Sequence, residues 1–224
     1  MVPETMSEIF FSSDLHLGHA NILRFNWATR GISPQEREHM NQLVALGQTS
    51  GSWKELKNWL NQRLPQMEDQ LIDQWNQQVG DRDTVYLLGD IFFCGHERAR
   101  EVLRQLKGNI HLVYGNHDQV IRKNLDIQKR FASVSELSEI KIQGHHVVMC
   151  HYPMVSWNRS HYGSFMLYGH VHGSMDNVVT NRSMDVGIDS RPAGRAPQAG
   201  MFGLWSWEEI VDILESRELT PHHG

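Results

Sequence analysis

The chain lacks what several protein classes require. Only two cysteines, Cys94 and Cys150, occur in 224 residues. No disulfide framework is expected, and a reducing, cytoplasmic setting fits. No stretch approaches the ~18 consecutive apolar residues of a membrane-spanning helix. The opening MVPETMSEIFF has no basic region leading into an apolar run, so no signal peptide is expected. No block of lysine and arginine stands out, and the formal net charge is −5. Both features disfavour a protein that coats long duplex nucleic acid. Repeats and low-complexity tracts are missing too. What remains is 40% hydrophobic residues, enough for one sizeable core and best read as a single domain over residues 1–224.

Histidine is the residue in surplus, with 14 copies. His222 and His223, near the C-terminus, read as solvated, so location must sort the others. Short apolar runs predict strands at Ile9–Ser12, Val85–Leu88, Ile110–Tyr114, His146–Met149 and Phe165–Tyr168. Late strands are expected at Met184–Ile188 and Met201–Trp205. Ile140 and Ile142 alternate with polar residues ahead of a hairpin turn at Gly144. Helical spacing groups Trp53, Leu56, Leu60 and Leu64 until Pro65 interrupts, then Met67, Leu71, Trp75 and Val79. These helices are expected to face the core, in an insertion over about 28–80. Shorter helices are expected at Ala20–Phe25 and around Ala99–Leu106. Ser206 and Glu209 form a capping-box pattern before a last helix. Residues 29–52, with Gly31, Pro34, Gly47 and Gly51 as breakers, read mostly as loop that can serve as a lid or an oligomer contact. Strand–helix–strand order in the middle and runs of strands later indicate α/β with mixed sheets.

Five of these segments end in residues of one chemical kind: Asp14 and His16; Asp90; Asn116, His117 and Asp118; His151; His170 and His172. In α/β sheets, ligands gather outside the carboxyl ends of the strands. The D-x-H and H-x-H spacings point both side chains the same way on an extended segment. Carboxylate, amide oxygen and imidazole together suit Mn²⁺, Fe or Zn²⁺ better than a thiolate site would. Each piece alone has a plainer reading. Gly-Asp is commonly a turn, His-x-His a surface pair, and Asp118 a helix cap. Five such endings in one chain are hard to attribute to chance.

In this order, D-L-H, G-D, G-N-H-D, the lone His151 and G-H-V-H resemble the calcineurin-like metallophosphoesterase superfamily, from about Ile9 to Asp189. The extended S-D-L-H-L-G-H-A-N-I-L resembles a small bacterial and phage branch of it. The resemblance implies a two-sheet sandwich of mixed β-sheets flanked by helices, a four-layer α/β/β/α arrangement. It implies two divalent metal ions, Mn²⁺ first, with Fe, Zn²⁺ or Ni²⁺ as alternatives. Asp14, His16 and His172 would hold one metal, Asn116, His151 and His170 the other, and Asp90 would bridge them. A hydroxide between the metals would attack phosphorus. His117 would protonate the leaving oxygen, and Asp118 would orient that imidazole.

One departure narrows the activity. Protein phosphatases of this kind carry G-D-x-x-D-R-G, whereas Gly89-Asp90 here is followed by I-F-F-C-G, with no acid or arginine. The expectation is therefore a phosphodiesterase on a small or nucleotide-like substrate. The alternative is a phosphomonoesterase on nucleotides or phosphosugars. A non-catalytic scaffold ranks lower, because every ligand position is filled, and a nuclease ranks lower because the chain is acidic and has no basic tract. His19, ahead of a helix, is a candidate substrate contact. So is Arg159, in a loop with Trp157, Asn158 and Tyr162 that can form a specificity wall. The expected partner is a small phosphate ester, with no membrane involved.

Overall fold

Phe10 and Phe11 are neighbours on one strand and, by the period of two, point to opposite faces of its sheet. That alternation explains how the chain builds two cores. The computed structural model describes residues 7–46, 51–175, 181–191 and 202–219; His222, His223 and Met201 lie outside them. The strands are β1 (Ile9–Ser12), β2 (Thr84–Leu87), β3 (Asn109–Val113), β4 (Ser133–Ser135), β5 (Leu137–Ile142), β6 (His145–Cys150), β7 (Phe165–Tyr168), β8 (Ser183–Asp185) and β9 (Trp205–Ser206). One sheet has the order β4-β3-β2-β1-β9, parallel except for β9, and the other has β5-β6-β7-β8, with β5 antiparallel. These are two mixed sheets flanked by helices.

Phe11, Leu88 and Val113 from the first sheet meet Val147, Met149, Phe165 and Leu167 from the second, so the sheets pack face to face. Phe10, Val85, Leu87, Ile110 and Leu112 on the opposite face of the first sheet pack against the helices. Each large side chain buried this way contributes about 1.5–3 kcal/mol. The helices are α1 (Ile22–Phe25), α2 (Pro34–Leu46), α3 (Ser52–Gln78), α4 (His96–Gln105), α5 (Gln119–Arg122), α6 (Leu125–Gln128) and α7 (Trp207–Glu215). α7 starts with the expected capping box: Ser206 Oγ accepts the Glu209 amide, and the Glu209 carboxylate accepts the Ser206 amide. No helix among the described residues is long and apolar enough to cross a membrane.

Three expectations need correction. Residues 34–46 form α2 rather than loop. Pro34 takes the first helical position, where a missing N–H costs nothing, and Ser33 and Glu36 exchange amide hydrogen bonds around it as a capping box. Pro65 does not end a helix, because α3 runs unbroken through it. Pro65 and Asn61, whose carbonyl loses its helical partner, are both exposed, so that carbonyl is open to solvent and the lost bond costs little. Trp53 is 48% exposed and faces outward rather than into the core. β4 was not expected, since three residues are too short for an alternation to register.

Candidate metal centre

The loops after β1, β2, β3, β6 and β7 meet at one edge of the sandwich. Asp14, His16 and His172 place one donor atom each within 4.8 Å of one another, and so do Asp90, His151 and His170. In the first group, Asp14 Oδ1 lies 3.8 Å from His16 Nε2 and 3.9 Å from His172 Nε2. In the second, Asn116 Oδ1 lies 3.0 Å from His151 Nε2. Asp90 Oδ2 stands between the groups, 3.9 Å from His16 Nε2 and 3.5 Å from His151 Nε2. Both carboxylates divide their labour. Asp14 Oδ2 accepts the His170 amide and Asp90 Oδ1 accepts the His117 amide, which leaves Asp14 Oδ1 and Asp90 Oδ2 facing the clusters.

The local backbone is unusual. Asp14, His16, Asp90, His170 and His172 all have positive φ, between 48° and 73°. Side chains disfavour that left-handed region, which concentrates at functional sites. Each loop must turn sharply off its strand to aim a side chain sideways at its neighbours. Gly115 and Gly169 allow the close approach, because a Cβ on Gly115 would strike the Asp90 carboxylate and one on Gly169 would strike Ser13 and Asp14.

A buried scaffold behind these residues was not legible in the motifs. His172 Nδ1 donates to Asp189 Oδ2 (2.8 Å), leaving Nε2 for the cluster. Arg30 grips both oxygens of Asp189 and also donates to the Asp14 and Leu15 carbonyls. The Thr29 hydroxyl donates to the same carboxylate. Burial alone would raise the Asp189 pKa, but the Arg30 guanidinium and the His172 hydrogen bond overcome it and hold the carboxyl well below its usual range. Glu68 of α3 accepts the Gly18 amide (2.5 Å) and so pins the loop that carries Asp14 and His16. On the other side, His151 Nδ1 donates to the Leu88 carbonyl (2.6 Å), which again frees Nε2. The only sequence hint of this scaffold is the D-V-G-I-D run that ends at Asp189.

The expected substrate side is mixed. His117 and Asn116 are exposed beside the clusters. Asp118 does not hold the His117 ring as expected, nor does it cap α5. Fully buried, it accepts the amides of Asp90, Ile91 and Gly115, and so ties the loop after β2 to the loop after β3. Burial pushes its pKa up, and the three amides pull against that. His19 Nδ1 lies 3.0 Å from His16 Nδ1, and its ring stacks on Phe93. Burial, with His16 and His117 nearby, lowers the His19 pKa to about 4. At neutral pH its ring is therefore uncharged and can accept a hydrogen bond from the His16 Nδ1–H. The Arg159 guanidinium lies over the Tyr162 ring, and among the described residues no hydrogen bond joins it to the clusters. Trp157 is buried on the outer face of the second sheet, its indole N–H donating to Ser164, so it forms no exposed wall.

Asp14 Oδ1 and His16 Nε2 are buried and have no hydrogen-bond partner. Each such group costs about 1–3 kcal/mol if left bare, and these two point at one another across 3.8 Å. A divalent cation accepts a lone pair from each, and the oxygen and imidazole donors suit Mn²⁺, Fe or Zn²⁺. Residues 68–185 match the family model described as the calcineurin-like phosphoesterase superfamily domain. The chain belongs to the calcineurin-like phosphoesterase superfamily. The chemistry of that superfamily is hydrolysis of phosphate esters. Similar proteins include the gene 66 protein of Mycobacterium phage D29, 24% identical over 96% of both chains. An uncharacterised protein of Methanocaldococcus jannaschii is 27% identical over 76% of this chain and 72% of its own. A crystal structure of a protein of unknown function from Aquifex aeolicus shares the fold, with a TM-score of 0.53 and 19% identity, covering 82% of this chain and 91% of that one.

Proposed function

We propose that this superfamily member is a two-metal phosphodiesterase that acts on a small or nucleotide-like ester, with Mn²⁺ as the preferred ion. The observation that supports it most is the position of Asp90 Oδ2, within 4 Å of an imidazole nitrogen from each group of ligands. Asp14, His16 and His172 would hold one ion, Asn116, His151 and His170 the other, and Asp90 both. Two such cations, when bound, would supply charge neutralisation of the ester and activation of water as the nucleophile. The protein's own groups do the rest. Asn116 offers a neutral oxygen, so the ligand charge does not cancel the cations. His117, exposed and anchored through its amide to Asp90, would give a proton to the leaving oxygen. Asp118 keeps the two loops that carry Asp90 and His117 in register.

The diester reading rests on chemistry that is missing. No arginine follows Gly89-Asp90 to clamp the dianion of a monoester. A diester carries one charge less and asks for less cationic help. The test compares a phosphodiester with its matching monoester on one leaving group, under Mn²⁺, alongside metal analysis. Two ions per chain and a higher kcat/KM for the diester are expected. A monoester preference of about tenfold, equivalent to ~1.4 kcal/mol of transition-state stabilisation, overturns the diesterase reading. A single ion that survives Asp90→Asn unchanged overturns the bridged pair.

A further inference from the structure

A groove of about 440 Å³ opens beside the ligands on the His19 side, between α1 and the first turns of α3. Its wall includes His19, Asn21, Arg24, Trp53, Lys57 and Asn61, and no carboxylate. In a chain of net charge −5, an acid-free cationic groove is the exception. His19 joins it to the metal centre through the 3.0 Å contact with His16. Two aromatic rings are left open here, Trp53 at 48% and Phe25 at 60% exposure, with the Arg24 guanidinium 5.7 Å from the first and 5.6 Å from the second. Among the described residues neither Arg24 nor Lys57 forms an ion pair. The volume falls in the range of small-molecule sites.

Each wall component matches one part of a nucleotide. An exposed indole offers a face to an aromatic base. Side-chain amides both donate and accept, as base edges do. Unpaired cations suit a phosphate-bearing backbone. We propose that this groove takes the nucleotidyl arm of the substrate, with the base against Trp53, Asn21 and Asn61 at its edge, and Arg24 and Lys57 along its anionic backbone. The scissile phosphate then lies at the metal centre, with His19 between the two. The proposal deepens the phosphodiesterase reading and rests on it for the position of the phosphate.

The test is calorimetric binding of adenosine 5′-monophosphate and of inorganic phosphate to the full chain loaded with Mn²⁺. Both probes carry the phosphate, and only one carries the arm. The nucleotide should bind at least tenfold tighter, at the low end of what one base–aromatic stack supplies. Trp53→Ala and Asn61→Ala, which remove the base's stacking face and a partner at its edge, should each bring the two affinities to within about threefold of one another. Both residues are on the surface, so neither change threatens the fold. Equal affinities in the parent protein, or a preference that survives both substitutions, overturns the proposal. Cleavage of a diaryl phosphate without a base is measured separately. If that ester resists cleavage while the nucleotide preference holds, the hydrolytic reading fails and the groove stands. If it is cleaved while the nucleotide shows no preference, the groove fails alone.

Discussion

His170 and His172 are two residues apart in one motif, both with left-handed backbone, yet their surroundings differ. His172 Nδ1 is fixed by Asp189, and Asp189 is fixed by Arg30 and Thr29 from beyond β1. His170 is exposed and meets the rings of Tyr152 and His151 edge-on. The same contrast divides the whole cluster, with Asp90 and His151 as buried as Asp14 and His16. Asp14 and His16 are buried on a braced wall, whereas His170, Asn116 and His117 stand on an open rim. Bracing and openness serve different ends. A wall whose side chains are locked by second partners sets geometry, and a rim with room around it admits substrate.

The contrast can be attacked from both sides. The largest effect is expected on the rim. His117→Ala should lower kcat by ~10²–10⁴-fold, while metal content stays near two ions and Tm moves by under about 2 °C, as for other exposed substitutions. Loss of metal in that variant would place His117 among the ligands and erase the distinction. On the wall, Asp189→Ala leaves the Arg30 guanidinium buried without its carboxylate, since both side chains are at 0% exposure. Breaking such a pair costs about 3–5 kcal/mol. That corresponds to roughly 6–20 °C in Tm for a chain of this size. Calorimetry of Asp189→Ala beside His170→Ala decides it, because equal shifts would mean that the wall is no more structural than the rim.

A milder change sharpens the same point. Asp189→Asn keeps the shape but weakens the hold on His172. One of the two ions should then bind about 10–100-fold more weakly, as read by metal titration, with the other unmoved. The smallest effect is a control far from both sides. Ser206→Ala removes the α7 cap, worth ~1 kcal/mol, and should lower Tm by about 2–4 °C without touching metal affinity. If it also loosens an ion, the metal loss in Asp189→Asn reflects general destabilisation.

The clustering of these side chains was legible in the sequence because each sits where an apolar run stops, and a strand end is a local event. The brace was not. Arg30 and Asp189 are 159 positions apart, lie in no periodic pattern, and meet only once two loops have been packed together. Arg30 fell within a stretch that reads as loop, and an arginine there looks solvated. Asp118 shows a subtler gap. Its place in the motif was plain, but three amides from two loops converge on it, and a motif does not reveal which amides will be near. α2 was legible in principle, since Ser33, Pro34 and Glu36 form a helix-start signature. Pro34 reads as a breaker in isolation, and in the fold it marks a beginning.

The left-handed backbone at Asp14, His16, Asp90, His170 and His172 has a consequence for anyone who would move this centre to another scaffold. At roughly 1 kcal/mol or more apiece, five such residues cost ~5 kcal/mol, comparable with the whole net stability of many domains. Grafting the seven side chains onto ordinary strand ends would point them the wrong way, and bending a host loop to suit would unfold a marginal host. What has to be transplanted is the shape of the main chain, with Gly115, Gly169 and the Arg30–Asp189 pair that keep it bent. The portable unit is a set of five loops, and the ligand list describes only its surface.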